Sequence, residues 1–167
     1  MRLPRLRLLA LVAALALGAA ACGGGGGGGD SSDEAGPFTA PTLGGGELAS
    51  SSFDGQDTVL WFWAPWCTTC RGEADDVVAS AAALEGSVEI IGVAGRGDVP
   101  EMEDFLSDTG TGDLTHVVDA DGAIWSDYGV ASQPAYAFID DSGDVEVVLG
   151  ALGADGLTER MQALADA

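Results

Sequence analysis

Within the chain beyond residue 37, apolar positions become dense and regular at residue 58. Thr58-Val59-Leu60-Trp61-Phe62-Trp63 is a continuous apolar and aromatic run, the signature of a strand buried on both faces. A helix is expected over residues 67–84, where Val77, Val78, Ala81, Ala82 and Leu84 recur at helical spacing. Residues 88–93 read as a second buried strand. A strand–helix–strand of this length makes a right-handed crossover between parallel strands. Asp98-Val99-Pro100-Glu101 has the form of a helix start, with Asp as cap, Pro in the first turn and Glu at the third position. Met102, Phe105 and Leu106 supply that helix's buried stripe. A short strand over residues 114–118 and a helical turn over residues 123–128 follow. Residues 135–139 and 145–149 read as two strands, joined through Asp140-Asp141-Ser142-Gly143, a hairpin signal. Leu157, Met161 and Leu164 mark a closing amphipathic helix. Before all of these, residues 38–48 read as extended segments around Gly44-Gly45-Gly46. The order predicts an α/β fold, a mixed sheet with helices on both faces.

The chain upstream is different in kind. Residues 1–21 carry Arg2, Arg5 and Arg7 and no acid, then an apolar stretch over residues 8–17 that is too short to span a bilayer as a mature helix. This is the pattern of an export signal. Gly18-Ala19-Ala20-Ala21 sets small residues before Cys22, which resembles the lipobox of bacterial lipoproteins, with Ala19 where Leu is usual. The resemblance implies that Cys22 is the lipidated first residue of the mature chain; the alternative is an ordinary cleavage site before a Cys. The stretch 22–36, rich in Gly, Ser and acids, cannot bury a core and reads as a disordered tether. Fourteen such residues span about 20 Å on average. The predicted organisation is a signal at 1–21, a lipidated tether at 22–36 and one domain at 37–167.

Charge narrows the partners. Beyond residue 21, three arginines (Arg71, Arg96 and Arg160) face all 27 acids, a net charge of −24. Nucleic acid is excluded as a partner, because phosphates must be neutralised by Lys or Arg. A peripheral basic membrane patch is excluded on the same ground. The absence of Lys and Asn follows from a GC-rich genome and carries no functional weight, and the acidity itself suits either a solvated surface or a saline habitat.

The chemistry lies in the cysteines. Of three, Cys22 is taken by the anchor. The other two stand in Trp66-Cys67-Thr68-Thr69-Cys70, after a buried strand and at a helix start. Two intervening residues in a first helical turn bring the sulfurs within bonding reach. The helix N-terminus stabilises a thiolate on Cys67, the expected nucleophile. Cys70, one turn further in and more buried, is expected to resolve the mixed disulfide. A purely structural disulfide competes poorly, since so short a loop constrains the unfolded chain very little. Zinc needs about four ligands, and only His116, expected to be half-buried mid-strand, could join the two cysteines. The reading calls for no cofactor and no metal.

Phe62-Trp63-Ala64-Pro65-Trp66-Cys67-Thr68-Thr69-Cys70 resembles the active-site strand and turn of thioredoxins. Cys70-Arg71-Gly72-Glu73 resembles the TlpA-like, DsbE-like branch, secreted relatives engaged in disulfide exchange and cytochrome c maturation. Residues 128–138, with Gln133-Pro134, resemble the family's cis-proline segment. The resemblance covers roughly residues 37–167. It implies a thioredoxin-like fold and a thiol–disulfide oxidoreductase with Cys67 and Cys70 as catalytic pair. Trp66, Glu73, Gln133 and Pro134 would support them, with a cis Gln133–Pro134 bond facing the cysteines. It further implies partners among exported protein thiols and disulfides or apocytochrome c, a membrane redox partner, and a location at the extracytoplasmic face of the cell membrane. Three departures stand out. Trp61 occupies the position where thioredoxins carry an acid, and the resemblance implies Glu73 in its place as proton acceptor for Cys70; the alternative is a solvated helix-surface acid paired with Arg71 or Arg160. Asp75 replaces a frequent Pro, and the dipeptide between the cysteines is Thr-Thr. Two other functions belong to related folds. Peroxiredoxin chemistry needs Thr or Ser three residues before the attacking Cys, where Ala64 stands. A copper-binding assembly protein usually spaces its cysteines by three residues and adds a late His, and neither is present here.

Overall fold

A computed structural model describes residues 36–167; the signal segment, Cys22 and the glycine run lie outside the described residues. The chain enters through a two-stranded antiparallel ribbon, β1 (Thr39–Pro41) and β2 (Glu47–Ala49). The turn between them has Gly45 and Gly46 at positive φ, which only glycine adopts without cost. A 3₁₀ turn at Ser50–Phe53, which no sequence pattern announced, leads to the main sheet. That sheet is built from β3 (Thr58–Trp63), α1 (Thr68–Ala83), β4 (Glu89–Gly95), α2 (Val99–Thr109), β5 (Thr115–Asp119), α3 (Ala123–Asp127), β6 (Ala135–Ile139), β7 (Val145–Leu149) and α4 (Gly153–Ala165). Strand order is β5-β4-β3-β6-β7. The β3–β4 and β4–β5 pairs are parallel, and β6 and β7 add antiparallel.

The continuous apolar run of β3 is needed because both faces of the sheet are covered. Val59, Trp61 and Trp63 point into one core with Val77, Met102, Phe105, Leu157 and Met161, from α1, α2 and α4. Leu60 and Phe62 point into the other, with Ile91, Val93, Ile124, Trp125 and Phe53. Burying each such side chain contributes about 1.5–3 kcal/mol. The expected capping box is present: Asp98 accepts from the Glu101 backbone N–H at 2.9 Å, and Glu101 accepts from that of Asp98 at 3.1 Å.

Three expectations need correction. In α1, Val77 is buried but Val78 and Ala81 are only half-buried and Ala82 is exposed, so the covered stripe is narrower than the sequence suggests. In α2, Leu106 is half-buried at the edge of the core. His116 is fully buried, not half-buried, at 2% exposure. Its Nδ1 accepts from Trp63 Nε1 at 3.1 Å, and its Nε2–H donates to the Thr111 carbonyl at 2.9 Å. The ring fits because residue 92 on the paired strand is glycine; a Cβ there would overlap the imidazole. Desolvation holds the His116 pKa below its ordinary value, the Thr111 hydrogen bond opposing. Both nitrogens are engaged, so His116 offers no metal ligand.

Candidate active site

The site forms where β3 ends. Residues 64–67 leave the carboxyl edge of the central strand and α1 begins at Thr68 with Cys67 as its N-cap. Cys67 Sγ accepts from the Cys70 backbone N–H at 3.1 Å, one of the donors that a helix start leaves unpaired. Cys67 and Cys70 are joined as a disulfide. Cys67 is 6% exposed and Cys70 fully buried, the asymmetry expected of an attacked and a resolving sulfur. Ala64 is also fully buried. It brings no hydroxyl, so the position that would hold a peroxide in a peroxidase is apolar.

The Gln133–Pro134 bond is cis, as the sequence resemblance implied. Register explains its place. Phe62 pairs with Ala135, so Pro134 lies one step on, beside the end of β3 from which the cysteine turn departs. Lacking an N–H, Pro134 ends the ladder on the β3 side, while its carbonyl accepts from Gly150 N at 2.9 Å. Trp66 is 58% exposed, rare for so large an apolar side chain. Its indole Nε1–H donates to the Arg96 carbonyl at 2.7 Å. Arg71 ties the turn down from the other side: its Nε–H donates to the Pro65 carbonyl at 3.1 Å, Nη1 pairs with Asp108 at 3.0 Å, and the guanidinium lies 5.0 Å from the Phe105 ring centre.

Glu73 is not a solvated surface acid. It is 4% exposed, and the arginines that might have paired with it are engaged by Asp108 and Glu146. Three residues after Cys70, it shares that cysteine's helix face. Trp61 Nε1–H donates to Glu73 Oε1 at 3.1 Å. Trp61 pairs across the ladder with Tyr136, so an indole and a phenol from neighbouring strands meet one carboxyl. Oε2 has no hydrogen-bond partner. Burial raises the Glu73 pKa above its ordinary value, outweighing the Tyr136 and Trp61 donors, and Asp76 adds to the rise. The Tyr136 phenol is pushed up by burial and by the Glu73 charge. The position where thioredoxins carry an acid therefore still serves a carboxyl here. It supplies a donor to Glu73 in place of an acid of its own.

One residue escaped the sequence reading. Arg96 directly follows β4 at φ 57, a left-handed conformation costing a side-chain-bearing residue about 1–2 kcal/mol. It touches both Trp66 and Gln133. The available signal was an arginine between two glycines directly after a buried strand.

Comparison with known proteins agrees with this geometry. The AhpC/TSA family profile matches residues 32–148. The soluble secreted antigen MPT53 of Mycobacterium tuberculosis is 39% identical over 137 residues, covering 80% of this chain and 78% of its own. The structure of MTB DsbF in its mixed oxidised and reduced forms superposes with TM-score 0.75 at 44% identity, over 80% of this chain and 97% of that one. A secreted Mycobacterium tuberculosis disulfide oxidoreductase homologous to E. coli DsbE superposes with TM-score 0.70 at 38% identity, over 81% of this chain and all of that one. With a buried carboxyl behind a strand-to-helix CxxC and a cis-proline beside it, the chain belongs to the AhpC/TSA family, in its thioredoxin-like thiol–disulfide oxidoreductase branch.

Proposed function

We propose that the protein exchanges disulfides with exported proteins or apocytochrome c outside the cytoplasm, held to the membrane by a lipid on Cys22 and the tether at 22–36, and is serviced by a membrane redox partner. The observation that carries the exchange chemistry is the Cys67–Cys70 disulfide capping α1 beside cis Gln133–Pro134. The secreted relatives support an extracytoplasmic setting. Among the described residues no helix is long and apolar enough to cross a membrane; attachment is assigned to Cys22 from its sequence context alone.

From the oxidised form, a substrate thiolate attacks Cys67 Sγ. A substrate–Cys67 bond forms, the Cys67–Cys70 bond breaks, and Cys70 departs as a thiolate. Glu73, whose pKa burial raises, gives that thiolate its proton when it carries one. A second substrate thiolate then attacks the substrate sulfur, closing the substrate disulfide and releasing Cys67 as a thiolate, which the start of α1 stabilises. Two electrons pass from substrate to protein. In reverse, ionised Glu73 takes the proton from Cys70 as it resolves the mixed disulfide. Trp66 and Gln133 flank the approach, and the backbone at 133 offers a substrate strand its pairing groups.

Insulin reduction tests this. Cys67→Ser is expected to abolish turnover. Cys70→Ser is expected to retain attack and accumulate mixed disulfides, visible as adducts on a non-reducing gel. Adducts formed by the Cys67 variant instead would reverse the assigned roles, and turnover by both variants would end the proposal.

A further inference from the structure

Gly95-Arg96-Gly97 closes β4 at the edge of the sheet where the cysteine turn begins. Both glycines are demanded by contact. A Cβ on Gly95 would lie 2.7 Å from Trp125 Nε1, and one on Gly97 would overlap the Pro65 ring. The backbone is thus wedged between α3 and the cysteine turn, and the residue between the glycines is held left-handed. Arg96 uses that placement at both ends. Its carbonyl accepts from Trp66 Nε1 at 2.7 Å. Its Nη1 donates to Gln133 Oε1 at 3.2 Å and its Nη2 to the Ala131 carbonyl at 2.8 Å. The guanidinium lies 4.6 Å from the Trp125 ring centre. Arg71 and Arg160 are spent on ion pairs with Asp108 and Glu146. Among the described residues, Arg96 is the arginine with no carboxylate in salt-bridge range.

We propose that Arg96 is a positioning residue that spans the two loops flanking the disulfide, fixing the spacing between Trp66 and Gln133 and with it the enzyme's preference for polypeptides over small disulfides. This rests on exchange at Cys67–Cys70. The reasoning is geometric. A polypeptide must lie across both loops to present a sulfur to Cys67, so it depends on their spacing. A small disulfide needs access to the sulfur alone. A lysine cannot replace the arginine, because one ammonium does not span two acceptors in a fixed fork while stacking on an indole.

The experiment compares insulin with cystamine as substrates for the full-length protein, its Arg96→Gln, Arg96→Lys and Gln133→Ala variants, and the Arg96→Gln/Gln133→Ala double variant. Loss of a charge-assisted hydrogen bond predicts that Arg96→Gln lowers the ratio of kcat/KM for insulin to that for cystamine about tenfold, mainly through a higher KM for insulin. Arg96→Lys should not restore the ratio. Gln133→Ala should lower it on its own, and in the double variant the two effects should fall short of additive. Gln133→Ala removes only an acceptor side chain, which keeps the test open even if Arg96→Gln folds poorly. An unchanged ratio in Arg96→Gln and in Gln133→Ala would overturn the proposal, as would rescue by lysine, which would make charge alone responsible. A wild-type protein that exchanges with neither substrate would remove the chemistry at Cys67–Cys70, and this proposal with it.

Discussion

Glu73→Gln should make the protein more stable and the enzyme slower. Burial holds the Glu73 carboxyl above its ordinary value of 4.5. The unfolded chain therefore releases that proton near the ordinary value, while the folded chain retains it to higher pH. Between the two values the folded state binds more protons, so stability falls as pH rises through the window and the loss is complete above the folded value. The structural cause is Oε2, buried without a partner. A buried acceptor left unmade costs about 1–3 kcal/mol. Gln keeps an oxygen for Trp61 Nε1 and cannot ionise. We expect a gain of about 1 kcal/mol at pH 8, or about 3–5 °C in melting temperature for a domain of this size, shrinking toward zero at pH 4. The same substitution removes the proton carrier we propose for Cys70, and losing a general acid–base group costs about 100-fold in rate. Thermal melts at pH 4 and pH 8 read the first effect. Stopped-flow resolution of a preformed mixed disulfide between pH 5 and 9 reads the second. A variant less stable at pH 8, or one resolving at wild-type rate across that range, would refute the assignment.

Mass spectrometry of the membrane fraction should find diacylglycerol on Cys22, and Cys22→Ser should release the protein to the medium; wild-type protein recovered entirely in the medium with another N-terminus would contradict the anchor. His116, held below its ordinary value of 6.5 by burial, stays neutral while the unfolded chain takes up a proton, so it makes stability fall as pH drops below 6.5. His116→Phe should remove that acid dependence and cost about 1–3 kcal/mol at pH 7.5, by leaving Trp63 Nε1 without an acceptor; urea melts at both pH values provide the check. Gly92→Ala should destabilise by about 1–3 kcal/mol through overpacking against the same imidazole, measured as a lower urea midpoint at unchanged slope.

The parts of the fold visible in the sequence are those fixed by local rules. The run at 58–63 is apolar throughout because β3 is covered on both faces. Asp98 and Glu101 are close enough in the chain to cap the same turn. A CxxC between strand and helix announces its own chemistry, and Pro134 was picked out by resemblance to a family segment. What escaped depends on pairs far apart in sequence. His116 and Trp63 are 53 residues apart, so strand periodicity could place the histidine on a strand but not reveal how deeply it is buried. Trp61 read as a lost acid because its partner, Glu73, lies on a helix and its neighbour, Tyr136, on another strand. Arg96 was hidden for the same reason: its acceptors lie on residues 131 and 133.

The central place of β3 bears on how this protein wears and breathes. Thr58–Trp63 is laddered to β4 on one edge and to β6 on the other, so it cannot open alone, and strands of this kind give up their amide protons only when the whole domain unfolds. The cysteine turn hangs from the last segment to let go. Protease nicks, edge fraying and loss of the entry ribbon would all erode the periphery first, leaving an exchange centre that outlives much of the molecule around it.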